Sequence, residues 1–216
     1  MSTIERAARL DGEQRTLIRD VNYTFYKQFC EAIGEQPIRL SYIDGMLEIM
    51  VTKRPHELYK KMLAKLVEAT VLECNIPVCS GGNMTFQRDD LEKGFEPDEC
   101  WWIAHETQVR GQSEFDFRVD PAPDLAIEIE ISRSLVSRIS IYAAIGVAEI
   151  WRFDGSKLRF CHLQADGTYQ DGLSSTSFPF LSPADLLPYL AIDDARDETT
   201  RIRQYIQWLR EQGHSV

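Results

Sequence analysis

A chain of 216 residues, 44% hydrophobic and 27% charged, carries enough apolar material for one folded domain and is not the composition of a disordered segment. Its 34 acidic against 24 basic residues give a formal net charge of −10, opposite to the basic field of most nucleic-acid-binding surfaces, so any such surface has to be a local strip. No stretch approaches the ~20 apolar residues of a membrane span, and five scattered cysteines without a CxxC pair suit neither a disulfide framework nor a zinc cage; the expectation is a soluble, unexported protein of the reducing cytoplasm.

Residues 1–20 are polar and unpatterned and predict a tail. Helical spacing of Phe25, Phe29 and Ile33 predicts a helix over 23–33, with Gly34 as its stop. Strand formers at 39–43 and 46–51 flank Asp44-Gly45, a dipeptide suited to a two-residue hairpin turn. From Pro55 to Glu73 the period becomes helical, with Leu58, Met62, Leu66 and Ala69 on one stripe and Lys60, Lys61 and Lys65 largely off it. Short strands are expected at 84–87 and 98–103, around an acidic loop, and a further one near 115–118. Residues 124–131, DLAIEIEI, alternate strictly: Leu125, Ile127, Ile129 and Ile131 share one parity, and Asp124, Ala126, Glu128 and Glu130 the other. A helix over 135–145 ends at Gly146; a hairpin over 149–153 and 157–162 turns at Asp154-Gly155; Ser182-Pro183 opens a short helix, and 197–212 form an amphipathic one. The order predicts an α+β (mixed α/β) domain over 21–192, preceded by the tail and followed by a C-terminal helix within 193–216.

The strand over 124–131 is the most informative segment. Side chains two apart on a strand lie roughly 6.5–7 Å from one another, and carboxylates at that spacing can converge on a divalent ion that takes oxygen ligands. A second acidic source, Glu96-Pro97-Asp98-Glu99, precedes an apolar run that suits a strand. If the two strands are neighbours, Asp98 and Glu128 can share a metal that activates water and screens a phosphate. The plain alternative is a solvated strand face with isoleucines inside. Asp124 reads as a structural contact, because four residues along a strand set it roughly 13 Å from Glu128. His56, near a helix start, reads as a cap or packing residue, with a general base or ligand as the alternative. Lys53, Arg54, Lys60, Lys61 and Lys65, helped by Arg133 and Arg138, form a candidate phosphate-tracking strip or else a solubilising helix face. Glu57 has a plain role as an i,i+4 partner of Lys61. Of the consecutive Trp101 and Trp102, a strand buries one and sends the other to the opposite face.

Pro97-Asp98, followed thirty residues later by Glu128-Ile129-Glu130, resembles the PD-(D/E)XK nuclease signature. The wider context, Tyr42-Ile43-Asp44-Gly45, Pro55-His56-Glu57, Glu96-Pro97-Asp98, Pro123-Asp124-Leu125-Ala126-Ile127-Glu128, and Ile141-Tyr142-Ala143-Ala144-Ile145-Gly146-Val147 with Glu149-Ile150-Trp151, resembles the Uma-two endonuclease family in order and spacing over about residues 20–190. The resemblance implies a restriction-endonuclease-like core, a central mixed sheet flanked by helices. It also implies cleavage of DNA with Mg²⁺ or Mn²⁺ held by Asp98, Glu128 and the Ile129 carbonyl, and water oriented by Glu57. Glu130 stands where the signature has lysine, and Arg138, four residues before Tyr142, takes the place of the lysine that migrates to the next helix. Arginine positions phosphate but does not take a proton. A homodimer is expected by analogy with endonucleases that cut both strands. Competing expectations are a nuclease-fold binding or assembly module without hydrolysis and a metallohydrolase of a small phosphate ester. Because packed acids repel, Asp98→Ala is expected to leave the melting temperature unchanged or to raise it.

Overall fold

The structure, a computed structural model, describes residues 4–6, 13–34, 36, 38–192 and 195–214. Of the expected tail, residues 1–3 and 7–12 lie outside this set, and most of the rest is strand: β1 (Ile4–Arg6) pairs antiparallel with β2 (Glu13–Ile18). Helix α1 (Tyr23–Ile33) begins where the Asn22 side chain accepts the N–H of Phe25 and ends at Gly34, whose φ of 53° favours glycine. The hairpin of β3 (Ile38–Ile43) and β4 (Met46–Thr52) turns at Asp44 and Gly45, both at positive φ, as the two-residue turn requires. Helix α2 (Arg54–Glu73) opens with a proline in its first turn. Then follow β5 (Cys79–Ser80), β6 (Phe86–Arg88), β7 (Lys93–Phe95), β8 (Glu99–Trp102), the short α3 (Glu106–Val109) and β9 (Leu125–Ile129). Helix α4 (Arg138–Ile145) leads to β10 (Glu149–Phe153), β11 (Leu158–Leu163), β12 (Tyr169–Gly172), α5 (Pro183–Leu186) and α6 (Glu198–Glu211).

Among the described residues the strands form two six-stranded sheets, ordered β1-β2-β4-β3-β7-β6 and β12-β11-β10-β9-β8-β5. The ladders are antiparallel apart from β9 with β10, which run parallel because α4 carries the chain across between them. The second sheet is covered on both faces. Leu125, Ile127 and Ile129 of β9, with Trp101, pack on Leu63, Leu66 and Val67 of α2 and on Tyr205 and Leu209 of α6. The opposite parity, Ala126 with Cys100 and Trp102, packs on Ile141, Tyr142 and Ile145 of α4 and on Leu17, Ile43, Phe86 and Phe95 of the first sheet. Tyr26 of α1, with Leu40, Tyr42 and Leu47, forms a third cluster on the first sheet.

This layering changes three expectations. Trp101 and Trp102 do point to opposite faces, but both are buried because both faces are covered. No face of β9 is solvated. The expected strand near 115–118 is instead a turn, in which the Phe115 ring stacks on Trp102 with centroids 4.7 Å apart.

Candidate active site

Strands β8 and β9 are antiparallel neighbours, with Glu99 opposite Ile127 and Cys100 opposite Ala126. The next step along the ladder sets Asp98 across from Glu128, and the Asp98 N–H donates to the Ile127 carbonyl at 3.2 Å. The register therefore brings together the two acids singled out by the sequence, on the parity turned toward α4. Neither is reachable by solvent.

Each carboxylate is already engaged by cations of the chain. The Oδ1 atom of Asp98 lies 2.8 Å from Nε2 of His56 and 3.0 Å from the Arg39 guanidinium, while Oδ2 accepts the Ile129 N–H at 2.6 Å. Ile129 thus serves Asp98 through its N–H. Burial raises the carboxyl pKa of Asp98, but His56, Arg39 and Arg138 outweigh it and hold the group well below its ordinary range. Glu128 lies 2.7 Å from the Arg138 guanidinium and accepts a hydrogen bond of 2.7 Å from the Tyr142 hydroxyl. For Glu128 burial dominates, and its pKa is raised.

Behind this pair stands a second layer that sequence reasoning missed. Nδ1 of His56 faces Oε1 of Glu13 at 2.6 Å. Carboxylates only accept, so an imidazole with a carboxylate at each nitrogen donates from both and is a cation. Burial pulls its pKa down, yet Asp98 and Glu13 together lift it to about 9. Arg15 bridges Glu13 and Glu48, each at 2.7 Å, and donates to Ser132 at 2.9 Å. Glu48 also accepts from the hydroxyl of Ser134 at 3.0 Å. Strand β2 thus holds, through Glu13, the imidazole that faces Asp98. The only hint in the sequence was the period-two placing of Glu13, Arg15 and Leu17.

The remaining site candidates lie outside this cluster. Glu130 pairs with Arg152 at 2.7 Å and borders a pocket of about 550 Å³ that Arg133, Ser137 and Arg138 also line. Glu57 is half-exposed and faces Lys60 at 3.9 Å, while Lys61 reaches Glu99 at 4.0 Å; the expected Glu57–Lys61 pair is not the one formed. Lys53, Arg54, Glu57 and Lys60 line a cleft of about 420 Å³ together with Arg39 and Glu96. Arg39 connects this cleft to Asp98. Asp124 accepts the backbone N–H groups of Ile103 and His105, at 2.6 and 3.1 Å, as a strand-start contact does.

Metal ligation needs lone pairs that face a common point. Among the described residues no group of three or more His, Cys, Asp or Glu side chains is so arranged. In Asp98 and Glu128 the oxygens face Arg39, His56, Arg138, Tyr142 and the Ile129 N–H instead. The residues as arranged do not fit a divalent ion.

The parallel β9-α4-β10 crossover thus carries Glu128 on its first strand and Arg138 on its helix, with Asp98 just before the antiparallel neighbour β8. A solved structure from Anabaena variabilis, described as a "putative nuclease belonging to DUF820", shares this fold; it is 14% identical, with a TM-score of 0.54 over 79% of this chain and 99% of that chain. The chain belongs to the Uma2 family, described as "Putative restriction endonuclease", whose profile matches residues 24–195. No curated protein matches it.

Proposed function

We propose that the protein binds the phosphate backbone of DNA along the cleft at the N-terminus of α2, and that it is a binding rather than a cutting member of its family. The observation that carries the reading is Lys60. Its side chain is 91% buried in the cleft wall, and among the described residues its ammonium has Glu99 at 3.6 Å and Glu57 at 3.9 Å as its ion-pair partners. With Arg39, Lys53 and Arg54 it gives the cleft lining four cations against the two acids Glu57 and Glu96, an excess of positive charge that suits a phosphate. Lys53 and Arg54 add charge at the helix end, where the first N–H groups and the helix dipole already favour a phosphate. Arg133 lines a separate pocket beside Glu130 and is not part of this cleft.

A second reading, hydrolysis of DNA with Mg²⁺ or Mn²⁺ at Asp98 and Glu128, is favoured by the position of those two acids across one ladder. Fluorescence anisotropy on a labelled duplex, with a parallel plasmid-nicking assay, separates the readings. Binding is expected at low salt, and Lys53→Ala/Arg54→Ala should weaken it and flatten its salt dependence by about two phosphate contacts, a slope change of ~0.9 each. Lys60→Met should weaken it further, and no nicking should accompany binding in either metal. Absence of binding, or binding indifferent to these substitutions, contradicts the proposal; metal-dependent nicking abolished by Asp98→Asn establishes the second reading.

A further inference from the structure

We propose that the Asp98–Glu128 pair is charge-compensated from within the chain, with His56, Arg39 and Arg138 standing where a metal hydrolase would hold its ion, and that the wild-type pair takes no divalent cation. This goes beyond the DNA-binding reading and holds whether or not the cleft binds DNA.

Glu13, Glu48, Asp98 and Glu128 are buried carboxylates, and Arg15, Arg39, His56 and Arg138 are buried bases in contact with them. With the imidazole doubly protonated, as its two carboxylate neighbours demand, and Glu128 ionised against Arg138, this cluster is neutral; with Glu128 protonated it is positive. Neighbouring charges are matched separately: Glu130 by Arg152, and Glu99 by Lys60 and Lys61. Glu96 is turned to Thr85 by its carboxylate, and its backbone carbonyl accepts from Arg138. A divalent ion entering such a cluster would leave two uncompensated positive charges in a region without solvent, which is strongly unfavourable. It could enter only by displacing bases that are tethered by their own backbones, two of which make further bonds: Arg39 to the Pro97 carbonyl at 2.8 Å and Arg138 to that of Glu96.

The same charge count predicts how a metal site could be recovered. Arg138→Met keeps much of the side-chain volume, removes one positive charge and frees an oxygen of Glu128 beside Asp98. Calorimetric titration with Mn²⁺ and a melting curve in millimolar Mn²⁺ test this on the full chain. Wild type is expected to show no saturable binding at the pair and no shift in melting temperature. Arg138→Met is expected to melt lower in metal-free buffer, to regain several degrees in Mn²⁺ through ligand linkage, and to lose that gain when Asp98→Asn is added. Saturable one-to-one binding by wild type that disappears in Glu128→Gln overturns the proposal, as does a folded Arg138→Met variant indifferent to Mn²⁺. If Arg138→Met does not fold, the wild-type titration decides alone: saturable binding removed by Glu128→Gln is contrary, and its absence is supporting.

Discussion

Asp98 shows how the surroundings of one side chain reverse the sign of a substitution. Read as one of two packed acids, it repels its neighbour and its removal relieves strain. In the structure it is the acceptor for His56, Arg39 and the Ile129 N–H. Removing it strands two buried bases and a buried amide. Breaking a buried ion pair by deleting one partner typically destabilises by ~3–5 kcal/mol, so Asp98→Ala should lower the melting temperature markedly in metal-free buffer, and thermal unfolding should report it. An unchanged or higher melting temperature would restore the repulsion picture. The acid pair itself was legible in the sequence, because Pro97-Asp98 and the alternation through Glu128 put both acids at fixed strand positions. Its counter-charges were not. Arg39 and His56 come from two other elements, Glu13 behind the imidazole comes from a third, and nothing in local spacing says which base will sit against which acid.

At the scale of elements, β2 is the segment that sequence reading misassigned. Strand detection relies on alternate apolar residues, but the inward positions of EQRTLI are Glu13, Arg15 and Leu17, so the buried parity is mostly charged and resembles a solvated tail. Its burial is made tolerable by His56 and Glu48, residues far away in the chain. The dependence is mutual, since Glu13 helps to keep His56 protonated. The imidazole pKa, raised from 6.5 to about 9, makes its contribution to stability fully present below about pH 6.5 and lost as pH rises through 9. NMR of the His56 ring should therefore place its midpoint near 9 in wild type and about a unit or more lower in Glu13→Gln. A wild-type midpoint at or below 6.5 would mean that β2 and β8 do not clamp the ring. By contrast α2, α6 and the two hairpins were legible, because their apolar periods and turn residues are local and agree with the packing they enter.

For the molecule as a whole, a net charge of −10 and a nuclease fold pull in opposite directions. The layering reconciles them. Both faces of the second sheet are covered, so Glu128 of β9 is drawn into the interior with Arg138, while Lys53, Arg54 and Lys60 gather at one helix end. The sequence could show that β9 has two chemically distinct faces; it could not show that the first sheet and α4 would close over the acidic one. The most direct measurement of this account is an anomalous difference map from a crystal of the full chain equilibrated with Mn²⁺. The Arg138 guanidinium is expected against Glu128 and His56 against Asp98, with no peak between the two carboxylates. A Mn²⁺ peak at coordination distance, about 2.1–2.2 Å, from both residues 98 and 128 would contradict it.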